Sequence, residues 1–442
     1  MATIKPLKGI LYNPDVITDH SAVTTPPYDV ISLEEQAAFY EKHPNNVIRL
    51  ILNRERATDT PEDNPHSRSA SHFRKWQSSG ILKRDPKLAL YLKAVTFPCE
   101  NGTYTRYGLI SLVRLEPFNR KVILPHEKTF SNVKSERLDL MKKTRCNFCS
   151  IFALYPDNGG VLDKLESAVD KSSPDEDFVD EKGHRHRLWR ILDPGLHAWV
   201  EANMKNKKLF IADGHHRYET ALNYQKHLRD TDPGFSEQHP ANYVLMYLCS
   251  MHDPGLIILP AHRLVKDLDE ASIHLAIKNS RTYFDVIDYP FTSENRKAAQ
   301  KSFVDGLKMG ADKHCIGVYG RGRPIFHLLT LKPGMMDHLF GKELDPALRA
   351  LDVTVLTRLI FMKILGFDQK RLDNEKLIGY ASTAGQALER IDSGSYDAAF
   401  LLNPTRIEQV QDVAKKGLIM PRKSTYFFPK VRSGLVMNTL EE

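Results

Sequence analysis

Long apolar runs are missing from this chain. No stretch of its 442 residues approaches the roughly 18 consecutive apolar residues a membrane-crossing helix requires, so no membrane span is expected. The first residues, MATIKPLKGI, hold Lys5 and Lys8 but no apolar core of signal-peptide length, and the expectation is a cytoplasmic protein. Cysteine is scarce and odd in number: Cys99, Cys146, Cys149, Cys249 and Cys315. Such a set supports no disulfide framework and fits a reducing compartment. Cys146-x-x-Cys149 has the form of a redox pair or half a zinc site. No second such pair completes a metal site, and Phe148, Ile151 and Phe152 beside it favour buried thiols. An excess of one charge is also lacking: 62 Lys and Arg against 55 Asp and Glu leave +7, spread along the chain. That balance suits anionic small molecules. With no basic stripe and no helix-turn-helix signal, nucleic acid is not an expected partner.

What is present is an ordinary globular composition, 41% hydrophobic and 26% charged. The length suits about two to three domains. Ser32 with Glu35 three residues on is a capping-box signature and predicts a helix over 33–42. The polar, proline-bearing stretch 54–70 reads as a mobile loop, with a helix after it to about 78. Strand-like runs at 88–97 and 103–115 around Asn101-Gly102 predict a hairpin. A helix is expected near 132–144, a strand over 148–155, and a loop across the polar stretch 170–187. Strands are expected at 208–212, 243–250 and 256–259, with a helix over 216–228. Beyond 268, helices near 270–279, 295–308, 346–365, 384–391 and 405–416 alternate with short strands near 284–288, 315–319, 325–331 and 397–402. The expected division is therefore an α+β domain over 1–268 with long insertions, and a smaller α/β module over 269–442.

The chemistry concentrates in LFIADGHHRYETAL, residues 209–222, where an apolar strand passes through a polar turn into a helix. A helix opening from a glycine turn aims backbone N–H groups and the positive end of its dipole at one point, which is a ready phosphate site. Gly214 permits close approach, Arg217 offers a two-pronged contact to phosphate oxygens, and His215 and His216 donate hydrogen bonds or carry a proton. Asp213 would repel phosphate unless it held Mg²⁺ or oriented a histidine. The same residues also fit a plain capped turn with Arg217 and Glu219 on a solvated face, or a metal site of Asp213, His215 and His216. Adjacent histidines seldom reach one metal, which ranks the last below phosphate.

Two further clusters stand out. PHEKT, residues 125–129, sets His126 beside Glu127, although it also reads as a surface loop. PRKSTYFFPK, residues 421–430, brings Lys423, Ser424 and Thr425 together, types that suit phosphate, in a segment too apolar for a free basic tail. His184, His186 and His262 receive no role.

Taken in order, TTPPYDVIS (24–32), PHEKT (125–129), HRLW (186–189), ADGHHRYETA (212–221), HRLVKDL (262–268) and MPRKSTYFFPK (420–430) resemble a widespread prokaryotic family of unknown function along nearly the whole chain. More distantly, DGHHR and the small-residue helix after it are similar to the strand–turn–helix of the ParB/sulfiredoxin-like superfamily, which includes ParB nucleotidases, sulfiredoxin and free serine kinases. That resemblance implies a ParB/sulfiredoxin-like core with large insertions and a nucleotide phosphate site at Gly214, His215, His216 and Arg217. It implies a small-molecule phosphotransferase, with a hydroxyl substrate such as L-serine phosphorylated from ADP or ATP. Asp213 would hold Mg²⁺, Glu127 would be the base oriented by His126, and Asp29 or His216 would take part in catalysis. Lys423, Ser424 and Thr425 would close over the ligand as the last loop returns to the site. A phosphatase or nucleotidase acting on a phosphorylated metabolite is an alternative within the same chemistry. A nucleotide-binding switch or adaptor, possible as a homodimer, is the alternative of another class.

Overall fold

The structure, a computed structural model, describes every residue except 101, 130, 158, 159 and 442, and at 131–133 it describes the backbone only. Ser32 starts the predicted helix, Leu33–Lys42. Its hydroxyl accepts the Glu35 amide at 3.1 Å, and the Glu35 carboxylate accepts the Ser32 amide at 2.8 Å. A second box corrects the loop expected over 54–70. The Asn64 side chain accepts the His66 and Ser67 amides, and Pro65 opens helix Pro65–Ser78. Proline fits there because the first helical residue needs no N–H.

The chain divides into two compact units. The first comprises Met1–Pro125, Thr129–Ile257 and Pro429–Glu442, and the second His126–Lys128 and Ile258–Phe428. Strand His262–Val265, on the N-terminal side of the expected division at 268, thus falls in the second unit, and the last residues of the chain fall in the first.

The first unit is built on a nine-stranded sheet. Its order is Ile123–Leu124, Leu209–Asp213, Ile151–Tyr155, Tyr243–Ser250, Gly102–Arg114, Leu90–Cys99, Arg185–Ile191 and Glu176–Val179, with Ile4–Lys5 also on Gly102–Arg114. Two pairings are parallel: Leu209–Asp213 with Ile123–Leu124, and Tyr243–Ser250 with Ile151–Tyr155. The predicted hairpin forms, pairing Tyr91 with Ile110 through to Cys99 with Gly102, while Asn101 lies outside the described residues. Within the loop expected over 170–187 a short strand forms: Glu176–Val179, at the sheet edge, pairs with Arg185–Ile191. Polar composition misleads at such an edge, because outward positions carry charge, as in the exposed Asp177–Arg185 pair.

Residues alternate between the two faces of the sheet. One face, with Leu92, Ala94, Leu109, Ile211 and Met246, buries an apolar core against helices Val161–Val169, Pro194–Met204 and His215–Thr231. The opposite face carries a row, Asp213, Phe152, Tyr247, Ile110 and Tyr91, each paired with the next. Lys93 and Arg106 lie on that same face.

The second unit holds a six-stranded sheet ordered Phe284–Pro290, Ile325–Leu331, Cys315–Gly320, Ala398–Leu402, His262–Val265 and Ile378–Ala381. Every pairing is antiparallel. The module is thus mixed α and β, without the parallel crossovers that alternation of helix and strand in the sequence calls to mind. The single helix expected at 346–365 is three pieces, Pro346–Arg349, Asp352–Thr354 and a wide π-turn stretch Val355–Ile364. The wide turn puts Val355, Leu356, Leu359, Ile360 and Phe361 all in the core. Among the described residues, no helix is long and apolar enough to cross a membrane.

Gly108 faces the row of large side chains, and a Cβ there would sit 2.2 Å from the Tyr247 ring. Gly108→Ala is expected to lower stability by about 1–3 kcal/mol or more in denaturant unfolding. An unchanged midpoint would contradict this packing.

Candidate phosphate site

In the first unit, strand Leu209–Asp213 ends in a register shift between Ile211 and Asp213, a bulge that puts the Asp213 side chain on the face opposite Ile211. Gly214 follows at φ 95°, in the left-handed region, and caps helix His215–Thr231. A side chain at Gly214 would also crowd Arg217, since a Cβ would stand 2.8 Å from its Nε. Here the predicted strand, turn and helix form with their expected order, and the helix continues to Thr231.

Arg217 does not point outward. Its Nη2 donates to Asp213 Oδ2 and its Nη1 to the Ser150 carbonyl. Burial disfavours its charge, but the Asp213 and Asp29 carboxylates outweigh that and hold the guanidinium above its ordinary value. A second cation, the Lys430 ammonium, binds Asp213 Oδ1 at 2.5 Å. One carboxylate therefore faces two cations, with the Asp29 carboxylate also within reach of Arg217. His215 is buried and His216 is half-buried beside it.

Mg²⁺ at Asp213 does not fit this donor set. Both carboxylate oxygens already face a cation, and a dication would have to displace one and be repelled by the other. Of the five N–H donors of Arg217, one on each terminal nitrogen is engaged with a protein oxygen.

Tyr28 and exposed Asp29 lie near the turn, within electrostatic reach of Arg217. Burial raises the Tyr28 hydroxyl well above its usual range, with Asp29 adding to the effect. A cavity of about 60 Å³ opens beside Arg217, lined also by Tyr28, Arg137, Cys149 and Thr220. It is small against the roughly 150 Å³ that holds benzene, so it houses no nucleobase. Cys146 and Cys149 are free thiols, as the sequence predicts, and burial pushes both up. The Cys149 thiol meets the Ser433 hydroxyl at 2.8 Å.

In the second unit, the two other clusters come together. Glu127 Oε1 accepts the Lys423 amide at 2.9 Å, His126 Nε2 meets the Thr425 hydroxyl at 3.2 Å, and the Met420 amide donates to the His126 carbonyl at 2.9 Å. The Ser424 hydroxyl donates to the Pro421 carbonyl. Lys423 itself sits at φ 53°, a left-handed backbone that is costly for a side-chain-bearing residue. Arg263 Nη2 holds the Arg422 and Lys423 carbonyls at 2.8 and 3.1 Å. The expected base, Glu127, is thus also a clamp on the 420–425 loop.

Three groups escaped sequence reasoning. Lys430 lies in a quoted motif, yet nothing local marks its partner as Asp213. Asp180, His186 and Arg432 are buried together. Lys93 is 1% exposed on the same sheet face as Asp213, with its ammonium 5.7 Å from the Tyr247 ring centre. A lysine at an inward position of the apolar strand LYLKAVTF was the available signal for the last.

The profile of a family described as protein of unknown function (DUF1015) matches residues 4–354, and the chain belongs to that family. No curated protein matches it. Among solved structures it is similar to a free serine kinase in complex with AMP, at 12% identity and TM-score 0.35 over 74% of this chain and 91% of that one. A conserved hypothetical protein from Pyrococcus furiosus is similar at 12% identity and TM-score 0.34, over 75% of this chain and 95% of that one. SbnI with C-terminal truncation from Staphylococcus aureus is similar at 9% identity and TM-score 0.35, over 74% and 86%. These similarities are too slight to carry an argument about fold or activity.

Lys93 is held down to about 7, by burial first and then by Arg106 and Arg432, against the pull of Asp180 and Glu176. The unfolded chain keeps this proton up to about pH 10.4, so folding gains from rising pH between about 7 and 10.4. Lys93→Met is expected to flatten that rise and to be the more stable protein at neutral pH, measured by unfolding across the range. A slope unchanged from wild type would mean the buried amine keeps its proton.

Proposed function

We propose that the chain binds a nucleotide through the turn 213–217 and transfers a phosphoryl group to a small hydroxyl compound. The observation that carries this reading is the pair of cations on Asp213 at the mouth of helix His215–Thr231. The helix end directs first-turn amides and its positive dipole at a bound phosphate, and left-handed Gly214 lets the phosphate come close. Lys430, on one oxygen of Asp213, and half-buried His216 are the side chains assigned to the phosphate. Arg217 acts from behind, positioning Asp213. On this reading the nine-stranded sheet is a ParB/sulfiredoxin-like core with insertions.

Phosphoryl transfer asks little covalent chemistry of a protein; positioning and charge stabilisation do most of it. The acceptor hydroxyl needs a base as its oxygen bonds to phosphorus. Asp29 is assigned that role in preference to Glu127, because Asp29 is exposed beside Arg217 in the same unit, whereas Glu127 is bonded to the Lys423 amide. His126, Glu127, Lys423, Ser424 and Thr425 are assigned to holding the 420–425 loop in shape. The donor is ADP or ATP, and L-serine is the first acceptor to try.

Calorimetric titration with ADP, ATP and CTP in the presence of Mg²⁺ tests the binding step. Wild type is expected to bind at least one of them, and Lys430→Met to weaken that binding at least tenfold, about 1.4 kcal/mol. Asp29→Asn is expected to keep nucleotide affinity while losing about 100-fold or more in turnover. If no nucleotide binds, the reading fails entirely; if Asp29→Asn turns over normally, only the base assignment does.

A further inference from the structure

Far along the sheet from Asp213, the sequence D-E-K-G-H-R-H, residues 180–186, crosses from strand Glu176–Val179 into strand Arg185–Ile191. One carboxylate organises the crossing. Asp180 Oδ1 accepts the amides of Lys182 and His184, each at 2.9 Å, and Gly183 takes the left-handed conformation the turn needs at φ 78°. With Oδ1 occupied by backbone, Oδ2 is aimed at the two histidines. His184 and His186 are two residues apart, which brings both rings to the same side of the chain.

Around Oδ2 the nitrogens are crowded. His186 Nε2 stands at 2.9 Å, Arg432 Nη1 at 3.1 Å and His184 Nδ1 at 3.5 Å. A carboxylate oxygen offers about two lone-pair sites, so three nitrogens exceed what it can accept. The arginine is already matched by Glu181, whose two oxygens it meets at 2.9 and 3.1 Å. The His186 ring is 2% exposed, and its Nδ1 has no hydrogen-bond partner. Asp180 and His184 are 8% and 6% exposed, and one ligand atom from each of the three residues lies within 4.8 Å of the others.

We propose that Asp180, His184 and His186 form a structural zinc site that locks this hairpin. Zinc bonds of about 2.0–2.2 Å to nitrogen and oxygen put neighbouring ligand atoms of a tetrahedron about 3.4 Å apart. His184 already stands at that spacing from Oδ2, and His186 needs to open by about half an ångström. Two imidazoles and one carboxylate suit zinc, and they suit neither Mg²⁺ nor Ca²⁺, which take oxygen ligands. Asp180 Oδ1 is held by two amides, and zinc on Oδ2 would take the place of Arg432 Nη1, whose guanidinium stays paired with Glu181 and the Thr24 carbonyl. The burial of all three ligands seals the ion from substrate, which makes its role the anchoring of residues 176–191. Water completes the four-coordinate shell.

The test uses the full chain without nucleotide, stripped with a chelator and then given one equivalent of Zn²⁺ or Co²⁺. One zinc per chain is expected to survive gel filtration, with Mg²⁺ unable to displace it. Cobalt is expected to give a tetrahedral visible spectrum without thiolate charge-transfer bands, and two hyperfine-shifted imidazole N–H signals in proton NMR. His184→Asn and His186→Gln are expected to lower zinc affinity by about 100-fold or more each. Should either variant fail to fold, the wild-type cobalt spectra still decide. No retained zinc, affinity unchanged in both variants, or no shifted imidazole signals would leave only a hydrogen-bond network and overturn the proposal. Thiolate bands would move the metal to Cys146 and Cys149 and overturn it too.

Discussion

The Asp213 carboxylate, held between Arg217 and Lys430, is the interaction on which the first unit's candidate site depends. Three stretches of chain meet there. Asp213 ends a central strand, Arg217 belongs to the helix that follows and also bonds the Ser150 carbonyl before the adjacent strand, and Lys430 belongs to the C-terminal segment. A half-buried acid with one cation would be a closed ion pair. With two it gathers both cations at the helix end, where the backbone adds partial positive charge of its own. Removing one member of such a set strands the others without their partner, which is costlier than the pair's own attraction.

The rest of the C-terminal segment is tied to the first unit in the same manner. The Pro429 carbonyl accepts Arg106 Nη2 at 2.7 Å, Arg432 reaches Thr24, Asp180 and Glu181, and the Thr25 and Ser433 backbones bond each other. Met437 pairs with Ile10, and Asn438 and Thr439 pair with Asn147 and Cys146. These residues carry polar groups into a buried layer where each group needs a partner. The sheet face that bears Asp213 is consequently rich in buried charge, Lys93 and Arg106 included, while the opposite face is an ordinary apolar core.

How much of this was legible depended on how local the cause was. The Ser32–Glu35 box, the 90–114 hairpin and the strand–turn–helix at 209–231 are written in neighbouring residues, and they appear where expected. Pro65 was read as a breaker because its role depends on Asn64 acting as cap, a choice between two local signals. Glu176–Val179 looks like loop because an edge strand exposes half its residues. At the site, the residue types were legible but not their partners. Asp213 with Lys430 and Asp180 with Arg432 join positions hundreds of residues apart, and no periodicity encodes such a pairing. The same limit applies to Arg217, whose bond to the Ser150 carbonyl no local spacing encodes.

The central claim is that the turn from Asp213 to Arg217 holds a phosphate. Hydrogen exchange with and without saturating ADP and Mg²⁺, read by mass spectrometry on peptides spanning 209–222, tests it most directly. Slower exchange is expected at the amides of residues 215–217 when nucleotide is present. Nucleotide binding that protects other segments and leaves these amides unchanged would contradict it.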